Sequence, residues 1–277
     1  MSFRLVGPGG SPTIGPAIAA AAHGDTIGIQ DGTYPESLGW AAGYLHLVGL
    51  GDAVFVTGTI FNVPTLAISG TGGGSLERLT FSNANSAHPN VIMLNVYQHI
   101  CRRVRVNGTG GKICFRAQYL ENCIAYNGLT GFVASCPGEN VLRHVTVVNM
   151  TGQGIVCNAA NGSVQGCLVA NTVGGSIVNY NTQTSLWNVT GDGILAGADG
   201  ISLLVPDIAF TNLGAGDVSL TDQSRAWFDG VPQLPVDFTG KRRRRFNNLT
   251  PRIYAGAYDP WPPAPSYVTG GPSVRKV

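Results

Sequence analysis

The sequence predicts an all-β parallel β-helix, on three observations: a repeat close to 22 residues, Val/Ile-rich runs of four or five residues, and an Asn that returns once per repeat. HVTVVNMTGQGIV (144–156) nearly recurs as GCLVANTVGGSIV (166–178), and RVRVNGTGGKICF (103–115) and CIAYNGLTGFVAS (123–135) share the pattern. LERLTFSN (76–83) adds an earlier copy. The Asn series is Asn83, Asn107, Asn127, Asn149 and Asn171, at intervals of 24, 20, 22 and 22. A period of that size without helical patterning is the mark of a solenoid whose strands pair from coil to coil. Asn tolerates the left-handed backbone of a sharp turn, and stacked copies can bond amide to amide, so the five are expected to form one ladder. Which alternate residues point inward is not settled by the pattern, because a slip of one residue reverses every face.

Composition agrees. The chain has 277 residues, 39 of them Gly, with 44% hydrophobic and only 12% charged residues against about 25% in an average soluble protein. That balance suits many tight turns between short buried strands and argues against disorder. The net charge of +2 hides one concentration, Lys241-Arg242-Arg243-Arg244-Arg245, without which the chain sums to −3. Basicity is local, so no broad nucleic-acid footprint is expected.

In order along the chain, residues 1–24 read as an N-terminal cap. Ile14, Ala17, Ile18, Ala21 and Ala22 share a helical face after Ser11 or Thr13 as cap, and such a helix would cover the open end of the coils. Residues 25–204 read as about eight coils. Residues 205–277 lose the rhythm, gain Pro, and read as an irregular C-terminal capping segment with an extended arm. No start-of-chain signal and no run of about 18 apolar residues is evident, so synthesis in a cytoplasm and no membrane span are expected. The six Cys (101, 114, 123, 136, 157, 167) then read as reduced, buried thiols; with no CxxC pairing to His, neither zinc nor any cofactor is expected.

TIGPAIAAAAHGDTIGIQDGTYPESL (13–38) resembles the opening of the pectin-lyase-like right-handed parallel β-helix superfamily: capping helix, "GDTI", then "GTYPE". VDFTGKRRRRFNNLTPRIYAGAYD (236–259) is similar to a closing segment of bacterial and phage β-helix proteins, carried by Asp237, Gly240, Arg243, Gly256, Ala257 and Tyr258. The resemblance implies a right-handed coil and, through its phage members, a virion protein. It does not imply one activity, since that superfamily holds enzymes, adhesins and virion proteins alike.

The chemistry expected of the enzymes is thinly represented. Glycoside hydrolysis needs a pair of carboxylates a few ångströms apart. No Asp lies between Asp52 and Asp192, and Glu77, Glu121 and Glu139 are expected at different points of their coils. The polygalacturonase-like and pectate-lyase-like signatures are missing. Arg102, Arg103, Arg105, Arg116 and Arg143 make a modestly basic region without acidic companions, read as solvated strand faces rather than a lyase base. Asp192, Asp199, Asp207, Asp217, Asp222 and Asp229 mostly sit beside Gly and read as turn residues. His23, His46, His88, His99 and His144 are scattered, none near a Ser or Cys in a nucleophile motif. No catalytic residue is assigned.

The function expected is therefore non-enzymatic: a virion structural protein, such as a capsid decoration, head fibre or tail component, acting through a rigid β-helix. Its partners would be itself, as a homotrimer, and other virion proteins. Arg242, Arg243, Arg244, Arg245, Tyr258 and Trp261 are its candidate interface. The aromatic residues beyond about 230 would then be buried on a neighbouring chain. The alternative is a polysaccharide-binding or -cleaving β-helix of the tailspike kind, for which Trp40, Trp187, Trp227 and Trp261 are suitable glycan platforms.

Overall fold

The structure, a computed structural model, describes residues 1–60, 63–69, 73–83, 91–93, 99–109, 113–134, 140–157, 162–178, 184–186, 188–191, 201–202, 205–213, 217–221, 224, 226–229, 237–239, 252–254 and 256–257. The chain is an all-β parallel β-helix. Its coils visit three parallel sheets in turn, here called faces A, B and C, of nine, nine and seven strands. The first complete coil is Thr26–Ile29 on A, Gly32–Tyr34 on B and Leu38–Trp40 on C. The last is Gly162–Gln165, Leu168–Thr172 and Ile177–Val178. About eight coils were expected; face C counts seven complete ones, and Thr184–Leu186 and Val189–Thr190 lay part of another.

Register settles which side of each strand is core. On face A the aligned column Ile27, Leu47, Leu76, Cys101, Leu120, Leu142, Val164 points inward. On face B the column is Tyr34, Val56, Phe81, Val106, Ala125, Val147, Val169. Phe81, Phe115 and Phe132 are the bulkiest fully buried side chains. Burying each of these side chains contributes roughly 2–3 kcal/mol, and stacking repeats the contribution coil by coil.

The N-terminal cap differs from expectation in two ways. The chain begins with a strand, Phe3–Val6, paired in parallel with Thr26–Ile29, so face A extends beyond the first coil. The helix is Ile14–Ala19, with Ile14, Ala17 and Ile18 buried as expected. Thr13 stands at the N-cap position, as one of the two residues expected there, but its side chain makes no capping hydrogen bond. The Glu36 carboxylate, from the "GTYPE" segment, accepts the N–H of Ile14 and of Gly15, both at 2.8 Å. A carboxylate there satisfies two orphan donors and faces the positive end of the helix. Asp25 secures the first strand similarly, accepting from Ser2 N–H (2.6 Å), Ala22 N–H (2.9 Å) and Arg4 Nε (3.3 Å).

The described residues of the C-terminal segment include regular elements. It holds a short helix, Val205–Ile208, and two antiparallel pairs, Phe210–Asn212 with Asp217–Leu220 and Trp227–Asp229 with Arg252–Tyr254. Its described apolar residues lie on the outer side of face B. There Ile124, Val148, Leu168, Ala170 and Val189 form a second apolar cluster with Ile208, Val218, Leu220, Ala226 and Ala257, and Phe238 packs against it. A neighbour's flank was expected to take the late aromatic residues; for the described residues Phe238 and Ala257, the chain's own coils supply the dry surface.

Candidate functional site

From Glu77 to Gln165, five successive turns from face A to face B are built from three consecutive residues. The first ends the face A strand and points outward; these align as Glu77, Arg102, Glu121, Arg143 and Gln165. The second takes a left-handed backbone: Arg78 (φ 55°), Arg103 (53°), Asn122 (52°), His144 (51°) and Gly166 (61°). The third turns inward and is buried: Leu79, Val104, Cys123, Val145 and Cys167. The backbone ladder continues through the corner, with Arg78, Arg103, Asn122 and His144 each donating its N–H to the coil above.

The outward column alternates in charge and is ion-paired. Glu121 accepts from Arg102 Nε at 2.7 Å and lies 3.5 Å from Arg143 Nη1. Glu77 bonds Arg103 and lies 3.9 Å from Arg78 Nε. Two expectations are corrected here. Glu77 and Glu121 share one column instead of occupying different points of their coils, and Arg102, Arg103 and Arg143 do have acidic companions. The two carboxylates are two coils apart, roughly 9.6 Å at the strand spacing, with Arg102 between them. That exceeds the approximately 5–5.5 Å of a retaining pair, and a guanidinium group stands between the two acids. Glu139 lies outside the described residues.

Round the corner on face B, the left-handed arginines open into a cleft of about 270 Å³. It is lined by Asp52, Phe55, Arg78, Leu79, Thr80, Arg103, Arg105, Phe238 and Thr239. Phe55, Thr80 and Arg105 are aligned outward residues of successive face B strands. The first shows 44% of its surface. The Arg105 guanidinium lies 4.6 Å from the Tyr126 ring centroid, a cation–π contact that orients it. Arg78 Nε is buried without a hydrogen bond among the described residues. Three guanidinium groups here meet two carboxylates, Glu77 and Asp52.

The Asn ladder is three residues long. Asn127, Asn149 and Asn171 sit at the face B end with φ of 57°, 57° and 53°. Asn149 Nδ2 donates to Asn127 Oδ1 at 3.1 Å, and Asn171 Nδ2 to Asn149 Oδ1 at 2.6 Å. Asn107 was expected in this stack but stands opposite Tyr126, one position early, and its Oδ1 accepts from the Thr109 N–H and hydroxyl. The coil is 19 residues long here, Val106 pairing with Ala125, so the interval of 20 to Asn127 is one residue too long for the two to stack. Asn83 is buried, donating Nδ2 to the Val63 carbonyl at 3.0 Å, inside the coil and away from the ladder.

The remaining candidates are placed as follows. His46 Nδ1 lies 2.7 Å from Ser75 Oγ, a His–Ser pair that sequence spacing had not suggested. Its ring meets Tyr44 edge-on at 4.9 Å, and His23 Nδ1 accepts the Tyr44 N–H. Trp40 packs on the core and donates Nε1 to the Gly73 carbonyl, leaving it poorly placed as a glycan platform. Cys101, Cys114, Cys123, Cys157 and Cys167 are buried free thiols. Arg242, Arg243, Arg244, Arg245, Tyr258, Trp187, Trp261 and Cys136 lie outside the described residues. Among the described residues no group of three His, Cys, Asp or Glu could hold a metal ion, and no helix is long and apolar enough to cross a membrane.

Comparison with protein-family models, with curated proteins and with solved structures gives no match to this chain.

Proposed function

We propose that this chain is a non-enzymatic structural protein of a phage particle, a member of the pectin-lyase-like right-handed β-helix proteins that acts through a rigid solenoid. One observation carries the reading most: the carboxylates Glu77 and Glu121 are committed to an ion-paired column with Arg102, Arg103 and Arg143. Carboxylates bonded to guanidinium groups in that way serve the stack. The resemblance of the two chain ends supports the phage assignment, and the long coil stack supplies a stiff shape suited to a particle surface.

In this reading the chain assembles as a homotrimer and meets other virion proteins, with Arg242, Arg243, Arg244, Arg245, Tyr258 and Trp261 as the contact residues. A closed three-fold ring would repeat one heterologous contact. The test uses an antibody raised against the recombinant protein on virus particles purified from its native source, with light scattering to give the oligomeric mass. Regular labelling of intact particles and a trimer mass are expected; particles that neither bind the antibody nor contain the chain by mass spectrometry would overturn the assignment. A second reading, polysaccharide binding, is favoured by the arginine-lined cleft on face B. Cleavage of any polysaccharide, lost on Glu77→Gln or Glu121→Gln, would replace the first reading with an enzymatic one.

A further inference from the structure

We infer that the face B cleft is a binding site for a small organic phosphate or sulfate ester, its anion held by Arg78, Arg103 and Arg105 and its carbon body lying against Phe55 and Phe238. This inference stands whether or not the chain belongs to a particle.

The geometry begins with the coil repeat. Arg78 and Arg103 occupy the same corner position on neighbouring coils, so their backbones are about 4.8 Å apart. Parallel strand pairing forces two like charges together, and a third, Arg105, is two residues along. Glu77 answers this concentration from the face A side, where it bonds Arg103. Asp52 is the carboxylate among the described residues that line the cleft, beside three guanidinium groups. Guanidinium groups spread over two coils suit a tetrahedral oxyanion, whose three free oxygens can be shared among them.

Two further features separate this cleft from a solvated basic patch. Its arginines are already oriented, Arg103 by Glu77 and Arg105 by the Tyr126 ring, so little side-chain freedom is lost on binding. Its lining also offers apolar surface: Leu79 is 2% exposed, and Phe55 and Phe238 come one from the coils and one from the C-terminal segment. A volume of about 270 Å³ is larger than a bare oxyanion needs and close to the lower end of small-molecule sites. An ester with a sugar-sized body uses both the charge and the aromatic wall; Asp52, Thr80 and Thr239 can bond its hydroxyls.

The test is calorimetric and NMR titration of the full chain with glucose 6-phosphate, glucose 6-sulfate, inorganic phosphate and glucose. Both esters are expected to bind about tenfold or more tightly than inorganic phosphate, a difference of about 1.4 kcal/mol, with no binding of glucose. The variants are Arg78→Asn and Arg103→Asn, because Asn accepts the left-handed corner while removing the charge. Each is expected to weaken ester binding at least about tenfold with an unchanged circular dichroism spectrum. Absence of ester binding to the unaltered protein would overturn the inference, as would equal affinity for inorganic phosphate. Retention of full affinity in both variants would overturn it equally.

Discussion

Ala257 donates its backbone N–H to Thr146 Oγ1 at 2.8 Å, joining two residues 111 positions apart. Gly256 beside it donates to the Gly166 carbonyl at 2.6 Å, and Ala257 in turn accepts from the Phe238 N–H at 2.7 Å. These bonds seat the Gly-Ala of the closing segment on face B. They give Gly256 a physical reason: its φ is 85°, and a Cβ there would come within 2.5 Å of Thr146 Oγ1 and 2.9 Å of Leu168 Cβ.

Gly256→Ala is therefore expected to destabilise the protein by about 2 kcal/mol through backbone strain and overpacking. Thermal unfolding measures the loss, and limited proteolysis should show the first cuts moving into residues 205–257. An unchanged melting temperature would mean that the clasp contributes nothing.

The middle residue of the Asn ladder separates two effects. Asn149→Ala removes both amide bonds and places a Cβ-bearing apolar residue at φ 57°, whereas Asn149→Gly removes the bonds alone. In urea unfolding, Ala is expected to cost about 1 kcal/mol more than Gly. Equal losses would show that the corner's left-handed backbone is not what Asn149 supplies.

Asp25 makes the N-terminal strand pH-sensitive. The Ala22 N–H foremost, then Ser2 and Arg4, hold its carboxyl well below the ordinary carboxylate range, against a smaller opposing effect of burial. A folded-state pKa below the unfolded value of about 3.9 means that the stabilisation is complete above that value and is lost as pH falls below it. Unfolding curves from pH 6 downward, on the order of half a unit apart, should show Asp25→Asn losing less stability on acidification than the unaltered chain. Parallel pH profiles would remove Asp25 from this role.

The thiols should be silent in the folded protein. Burial pushes Cys114 and Cys123 up to about 12 and Cys157 to about 11, and raises Cys101 well above its ordinary value. Thiolate is the reactive form, so iodoacetamide at neutral pH is expected to label these four only after denaturation. Mass spectrometry of alkylated peptides decides it; rapid native labelling of Cys114 or Cys123 would contradict their burial.

Much of this fold could be read in the chain because its repeat is visible to the eye. Asn149 and Asn171 announce both the period and the left-handed corner, and Ile14, Ala17 and Ile18 announce the helix. The face A corner was hidden because its left-handed position is filled by Arg, Arg, Asn, His and Gly, types with no common signature. The covering of face B left a fainter trace. Early strands alternate, as in Thr80-Phe81-Ser82 and Arg105-Val106-Asn107, while later ones such as Leu168-Val169-Ala170 are buried on both sides. A loss of alternation is what burial of both faces produces. It marks where the C-terminal segment lies, but only once the coils have been aligned. The cleft was unreadable for a related reason: Asp52, Arg78, Arg103 and Phe238 meet only through coil stacking and that covering.

The alternating column on face A also constrains how such a chain can lengthen. Copying one coil, for instance that of Arg102, would set Arg against Arg in the next register and leave a repulsive step in the stack. Copying two coils, Arg102 and Glu121 together, would preserve every opposite-charge neighbour from Glu77 to Arg143. Growth of this solenoid by duplication is thus favoured in even increments, and a coil-length misregister during folding is penalised by the same charges.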